Sequence, residues 1–351
     1  MTPFIGNNLM EMNYIYQRVS HHSNHSGYDQ LIKYVLSNRI ARNSIFSLLD
    51  LLPERILAQI RRNAGEWYNS NALKWELQNI FSYLFKTNTI FHFLYGEDSF
   101  HYSGYFNFRK SNKIVVTYHH PPEKFDRIIP NKNHLKKIDA VISVSSQQVD
   151  YFSRWVQEDK IHLVPHGVDI EYFHPVKRKK KTDGRNCLFV GTHLRDYDML
   201  KKVIGKVNCI KNNINFTIIT DRNHFSKLSG EKNTQLLERI SEVELLNLYR
   251  RSDVLLLPIT DCTANNTLLE AMACGLPVIT NDVGGVRDYA SDQCAIFAEL
   301  GDADFMAAKL INLLDNHNLK KAMSIEARKK ALQFDWKIIA AKMKGIYKSL
   351  F

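Results

Sequence analysis

Short apolar runs set apart by amphipathic stretches constrain the second half of this chain more than any other feature. CLFVG (187–191), FTIIT (216–220), VLLLP (254–258) and PVITND (277–282) are too short for helices and largely lack polar alternation. Such runs read as strands buried on both faces, and the amphipathic segments at 197–210 and 234–252 read as the helices that cover them. A parallel connection needs a crossover, so strand and helix in repetition predict an α/β unit with a parallel sheet.

The first half carries the same rhythm less regularly. NYIYQRV (13–19), TIFHFLYG (89–96), KIVVTYHH (113–120), DAVISVS (139–145) and IHLVPHG (161–167) read as strands, with helices expected over 27–39 and 46–86. A chain of 351 residues suits two domains of this kind. The expected organisation is two Rossmann-like domains, 1–173 and 185–334, with the closing helix 335–351 packing back on the first. Between them, HPVKRKKKTDG (174–184) holds the basic run from Lys177 to Lys181 ahead of an Asp-Gly turn. Like charges repel and solvate, so this stretch is a hinge, or a contact for phosphate or a lipid surface.

The formal charge of +11 calls for an anionic partner: nucleic acid, a phosphate-bearing small molecule or an anionic membrane surface. Nucleic acid is not expected, because no aromatic-plus-basic motif or helix-turn-helix pattern is present. The five cysteines, Cys187, Cys209, Cys262, Cys274 and Cys294, form no C-x-x-C pair and no disulfide framework, which predicts a reducing, cytoplasmic setting. The N-terminus lacks a signal-peptide pattern and no run reaches the ~18 apolar residues of a membrane span, so membrane contact would be peripheral.

The stretch TDCTANNTLLEAMACGLPVITNDVGG (260–285) concentrates the chemistry. A strand stops at Pro258, Asn266 is the expected N-cap, Leu268, Leu269 and Met272 share a face, and Gly275 with Pro277 ends the helix. Loops at the carboxyl edge of a parallel sheet are where such folds take ligands. The helix start near Thr267 offers unpaired backbone N–H groups, and Thr263 and Ala264 are small enough to let an anion approach. Glu270, one turn in, suits a pair of sugar hydroxyls; the alternative is an ordinary solvated helix residue. Phosphate on the amides and ribose on the carboxylate describe a nucleotide. Gly284 and Gly285 offer a second set of amide donors at the next loop.

Taken together, NNTLLEAMACGLPVITNDVGGVRD (265–288) resembles the nucleotide-sugar-binding segment of retaining glycosyltransferases of the GT-B architecture, family 4 type. VVTYHHPP, IDAVISVS, VPHGVDIEYFHP, CLFVGTHLRD, LYRRSDVLLLP and FDWKIIAAKMKGIY follow in the family's order over most of the chain. The resemblance implies two Rossmann-like domains facing across a cleft. It makes Glu270 the ribose-binding member of a pair of glutamates, but the first member would stand at 262, where this chain has Cys262. Either Asp261 takes that role or the sugar is held by backbone amides and Asn265. The basic group that neutralises the diphosphate falls on Arg195, after Gly191 and His193, with Lys201 and Lys202 as lesser candidates. A sugar-contacting histidine falls on His119, with His120 beside it, and the first-domain glycine loop falls on Gly27.

The donor-side set is therefore Gly27, Gly191, His193, Thr263, Ala264, Asn265, Asn266, Thr267, Glu270, Gly284 and Gly285, with His119, Arg195 and Asp261 as the catalytic candidates. His21, His22 and His25 lack carboxylate or Cys partners at ligand spacing, and no Asp-x-Asp stands in a suitable loop, so neither metal nor other cofactor is expected. The expected reaction is retaining transfer from a nucleoside-diphosphate sugar to a hydroxyl of a lipid-linked or cell-surface glycan. No carboxylate presents itself as a covalent nucleophile, so front-face return is expected. The rivals are a sugar-nucleotide epimerase or hydrolase, and a nucleotide-sugar-binding protein without catalysis. The segment 46–86, with Arg61, Arg62 and Lys74 among apolar residues, is either a membrane-surface element or a set of core helices.

Overall fold

The computed structural model describes residues 11–16, 24–35, 38–39, 53–62, 64–66, 68–176 and 185–351. His21, His22, the basic run Lys177 to Lys181 and the first part of the 46–86 segment lie outside the described residues. The chain divides into two compact units, one of 1–21, 28–166 and 339–351, the other of 22–27 and 167–338.

The first unit is built on β1 (Glu11–Ile15), β2 (Asn38–Arg39), β3 (Thr89–Phe93), β4 (Lys113–Tyr118), β5 (Ala140–Ser143) and β6 (Ile161–Leu163). They form one sheet in the order β2-β1-β3-β4-β5-β6, every pair parallel. The strand order reverses between β1 and β3. The helix expected over 27–39 is instead a 3-10 turn, Tyr28–Lys33, followed by β2. The expected helical stretch 46–86 contains two helices, Glu54–Arg61 and Ser70–Phe85. Gly65 separates them at φ +115°, and a Cβ there would lie 2.2 Å from the Ile128 carbonyl oxygen. The closing helix, Trp336–Ser349, brings Tyr347 into this unit, where its hydroxyl lies 2.6 Å from His92 Nδ1 and accepts from Tyr14 at 3.0 Å.

The second unit is built on β7 (Arg185–Val190), β8 (Ile214–Ile219), β9 (Thr234–Leu237), β10 (Val254–Leu257), β11 (Val278–Asn281) and β12 (Ala295–Ala298). Their order, β12-β11-β10-β7-β8-β9, is the 3-2-1-4-5-6 arrangement of a dinucleotide-binding sheet, again all parallel. Apolar runs without alternation are explained by burial on both faces. Leu188, Val190, Leu255 and Leu257 enter one core with the helices Glu242–Arg251 and Asn266–Ala273, while Cys187, Phe189, Val254 and Leu256 enter another with Tyr197–Ile210 and Ala303–Asp315.

The segment 234–252, expected as one amphipathic helix, splits into β9 and the helix Glu242–Arg251. Its helical periodicity is real only from Ser241, whose backbone N–H and hydroxyl meet Glu244 at 2.8 Å in a capping box. Strand β12, the short apolar run Ala295–Ala298, was not anticipated. Among the described residues no helix is long and apolar enough to cross a membrane.

Candidate functional site

In the second sheet the strand order reverses between β7 and β10, and the loops leaving these two strands are stitched together. Thr260 N–H donates to the Leu194 carbonyl at 3.0 Å, and Asp196 N–H to the Pro258 carbonyl at 3.0 Å. The first loop carries Arg195 and the second leads to the helix Asn266–Ala273.

Arg195 is partly buried and folds back over the end of its own strand. Its Nε donates to the Val190 carbonyl at 2.9 Å, Nη1 to the His193 carbonyl at 3.0 Å and Nη2 to Thr267 Oγ1 at 3.3 Å. Gly191 makes room: at φ +104° it has no Cβ, and one built there would sit 2.5 Å from Arg195 Nη2. Burial lowers the guanidinium to about 10, so it remains a cation at neutral pH. Among the described residues no carboxylate pairs with it. A fixed, partly desolvated cation bonded to the first turn of a helix has the chemistry to hold an anion. Lys201 and Lys202 are exposed on the helix Tyr197–Ile210 and form no hydrogen bond with this group.

The helix begins one residue earlier than the sequence suggests. Asn265, not Asn266, is the N-cap, its side chain accepting from Leu268 N–H at 3.2 Å, and Asn266 is the first helical residue. At the other end Gly275, at φ +76°, donates to Met272 and Leu276 donates to Ala271, each at 2.9 Å, the paired bonds of a Schellman stop. Arg328 reinforces that end, donating to the Ala273 carbonyl at 2.7 Å. Thr263, Asn265 and Thr267 are buried, and Ala264 packs against the core.

Glu270 is not a solvated helix residue; it is 5% exposed. Its Oε2 accepts from the Tyr249 hydroxyl at 2.9 Å and its Oε1 from the Ser26 hydroxyl, with Ser26 followed by the buried Gly27 at φ +100°. Desolvation raises this carboxyl to about 7, the two hydroxyls holding it down. Tyr249 and Ser26 are hydrogen-bond partners of Glu270 that the sequence reading missed. Tyr249 shares a helix face with Leu246, and a buried tyrosine hydroxyl needs a partner, so its pattern held a signal; Ser26 held none.

Cys262 is buried and its thiol is pushed up to about 12 by desolvation, so no charge stands at that position. Asp261, half-buried, accepts its neighbour's backbone N–H, from Cys262, at 2.7 Å. Of the glycine pair, Gly285 serves this loop differently from the expectation. Gly285 N–H is spent on the Cys262 carbonyl at 2.7 Å rather than offered to a ligand. Gly284, at φ +54°, allows contact so close that a Cβ would lie 2.2 Å from Asp261 Oδ1 and from the Cys262 carbonyl oxygen. Gly284→Ala is accordingly expected to destabilise the protein by roughly 2–4 kcal/mol in denaturant melts. Gly301→Ala, at φ +81° with open space around it, should cost only about 1 kcal/mol. Equal costs for the two variants would mean that the loops do not meet as described.

His119 lies in the first unit, at the carboxyl end of β4. Its ring Nε2 donates to the Leu94 carbonyl at 2.7 Å, and rings of Tyr28 and Tyr95 pack around it. Burial lowers it to about 4, so it is a neutral imidazole with its proton on Nε2. Glu97, unmarked in the sequence, accepts the backbone N–H groups of His119 and His120 and is raised by burial to about 7.

Comparison with known proteins gives the family and the fold. A family described as Glycosyltransferase Family 4 matches residues 71–172 and one described as Glycosyl transferases group 1 matches 184–316, together about two thirds of the chain. Phosphatidyl-myo-inositol mannosyltransferase of Mycolicibacterium smegmatis is 24% identical over 68% of this chain, which spans 65% of that protein's length. Among solved structures, Anabaena Alr3699/HepE in complex with UDP and glucose aligns over 97% of this chain and all of its own, with a TM-score of 0.68 at 12% identity. Sucrose-phosphate synthase from Thermosynechococcus elongatus aligns over 86% of this chain and 80% of its own, at 0.64 and 20% identity. With both family models matched and two parallel Rossmann-like sheets, the chain belongs to the group 1, family 4 glycosyltransferases of GT-B fold.

Proposed function

We propose that the protein transfers a sugar, with retention, from a nucleoside-diphosphate sugar to a hydroxyl of a lipid-linked or cell-surface glycan. The observation that carries the reading is the Arg195 guanidinium, held by three bonds and with no carboxylate partner among the described residues, against the start of the helix Asn266–Ala273. The diphosphate takes the helix amides and Arg195, and the ribose takes Glu270. As the bond between the sugar's anomeric carbon and the phosphate oxygen breaks, negative charge grows on the leaving diphosphate where this cation is fixed. The acceptor oxygen attaches to the same face, and its proton passes to the leaving phosphate. Protein groups, rather than a metal, neutralise the charge. Asp261 reads a sugar hydroxyl in place of the glutamate replaced by Cys262, and neutral His119 is a sugar contact.

A phosphoinositide-type acceptor is favoured by the mycobacterial relative's substrate, and with it peripheral attachment to an anionic membrane on the cytoplasmic side. The test is thermal stabilisation by UDP, GDP and ADP and by their sugars. A ligand at a hundred times its Kd adds about 2.7 kcal/mol, enough to move the midpoint by several degrees. Absence of any shift across the panel would sink the proposal. Turnover that does not depend on an acceptor would favour the epimerase or hydrolase reading instead.

A further inference from the structure

Three consecutive residues, Asn24, His25 and Ser26, are held by three carboxylates of the second unit. The backbone N–H groups of Asn24 and His25 donate to the two oxygens of Glu242 at 3.3 and 2.9 Å. The His25 ring stacks on Tyr172 at 3.7 Å and 5°, and its Nδ1 lies 2.6 Å from Asp169 Oδ2. These contacts deliver the Ser26 hydroxyl to Glu270 Oε1, while Tyr249 occupies Oε2 from within the core. Asp169 is itself fixed, its other oxygen accepting from the backbone of Glu171 and Tyr172 at 3.1 and 3.0 Å. The strap is therefore anchored by bonds that do not depend on Glu270.

An aliphatic hydroxyl on a buried carboxylate is the same chemistry as a ribose hydroxyl on that carboxylate. We propose that Ser26 is an internal surrogate for a nucleotide hydroxyl, and that a nucleoside diphosphate binds by taking its place on Glu270 Oε1 and loosening the strap Asn24–Ser26. The inference rests on the reading of Glu270 as the ribose-binding group. Exchange of one hydroxyl for another is close to balanced in hydrogen-bond energy. The anchored strap presents Ser26 at high effective concentration, so the nucleotide must compete with it and its apparent affinity is lowered by the fraction of sites Ser26 holds. The strap thus sets a threshold for donor binding without touching the diphosphate site.

The experiment is calorimetric titration of the wild type and Ser26→Ala with UDP and with GDP, together with hydrogen exchange at Asn24 and His25 in the wild type. Removing the competing hydroxyl should tighten binding about three- to tenfold. Nucleotide binding to the wild type should speed exchange of both amides, a readout that needs no variant to fold. Equal or weaker binding by Ser26→Ala, or slower exchange of the strap amides with nucleotide, overturns the surrogate role while leaving the Glu270 reading intact. If neither nucleotide binds the wild type, both fall.

Discussion

Arg195→Ala should lower turnover by roughly 10²–10³-fold, the usual effect of deleting one fixed group that stabilises developing charge. The fold should survive, because the substitution also removes a partly buried cation that has no counter-ion among the described residues. Arg195→Lys should recover little. An ammonium is a point charge on a flexible stem and cannot reach the carbonyls of Val190 and His193 and the hydroxyl of Thr267 in one geometry. Steady-state kinetics with the cognate donor, with circular dichroism to check folding, decides the matter. Activity within a factor of three of the wild type would show that the diphosphate is neutralised elsewhere.

Glu270→Gln should trade function for stability. The buried carboxyl titrates at about 7 in the folded protein, above its ordinary value of 4.5, so the folded state holds the proton more tightly than the unfolded chain does. Wild-type stability from this group is thus intact below pH 4.5 and is lost as pH rises through 7, amounting to roughly 3 kcal/mol at most. Glutamine carries no charge, and the hydroxyls of Tyr249 and Ser26 can each donate to or accept from its amide. The stability difference between variant and wild type should therefore grow between pH 4.5 and 7 and level off above. Nucleotide affinity should fall about ten- to a hundredfold as charge-assisted bonds become neutral ones. Denaturant melts at several pH values and a nucleotide titration measure the two halves separately. A stability difference independent of pH would mean that Glu270 is not held as described.

What the sequence revealed and what it hid follow a physical line. Both parallel sheets were legible because burial on two faces leaves apolar runs such as VLLLP, and Gly275 announced its helix stop because only glycine adopts that turn freely. The four-residue strand β9 was absorbed into the helix that follows it, since TQLL continues a helical period that Ser241 interrupts only through its side-chain cap. The glycine pair at 284 and 285 was recognisable as a place of close approach, and the Cys262 carbonyl is the group that the Gly285 N–H meets. Contacts across the chain, such as Ser26 on Glu270, leave no local pattern at all. Arg195 could be singled out by its distance from VG, but its lack of a carboxylate partner among the described residues is a property of three dimensions.

The order of strands in the second sheet also has a consequence for how the protein comes into being. During synthesis β7 emerges first and finds β8 at once, yet its other edge stays open until β8, β9 and the helix Glu242–Arg251 have been made and β10 arrives. The open edge of β7, with its unpaired backbone N–H and C=O groups, is then a template for pairing with another chain, and pairing of strands distant in sequence is slow. The bonds between the Leu194 and Thr260 loops can close only after that step. The junction of these two loops thus cannot form before β10 has been made, although β7 is the first strand of its sheet.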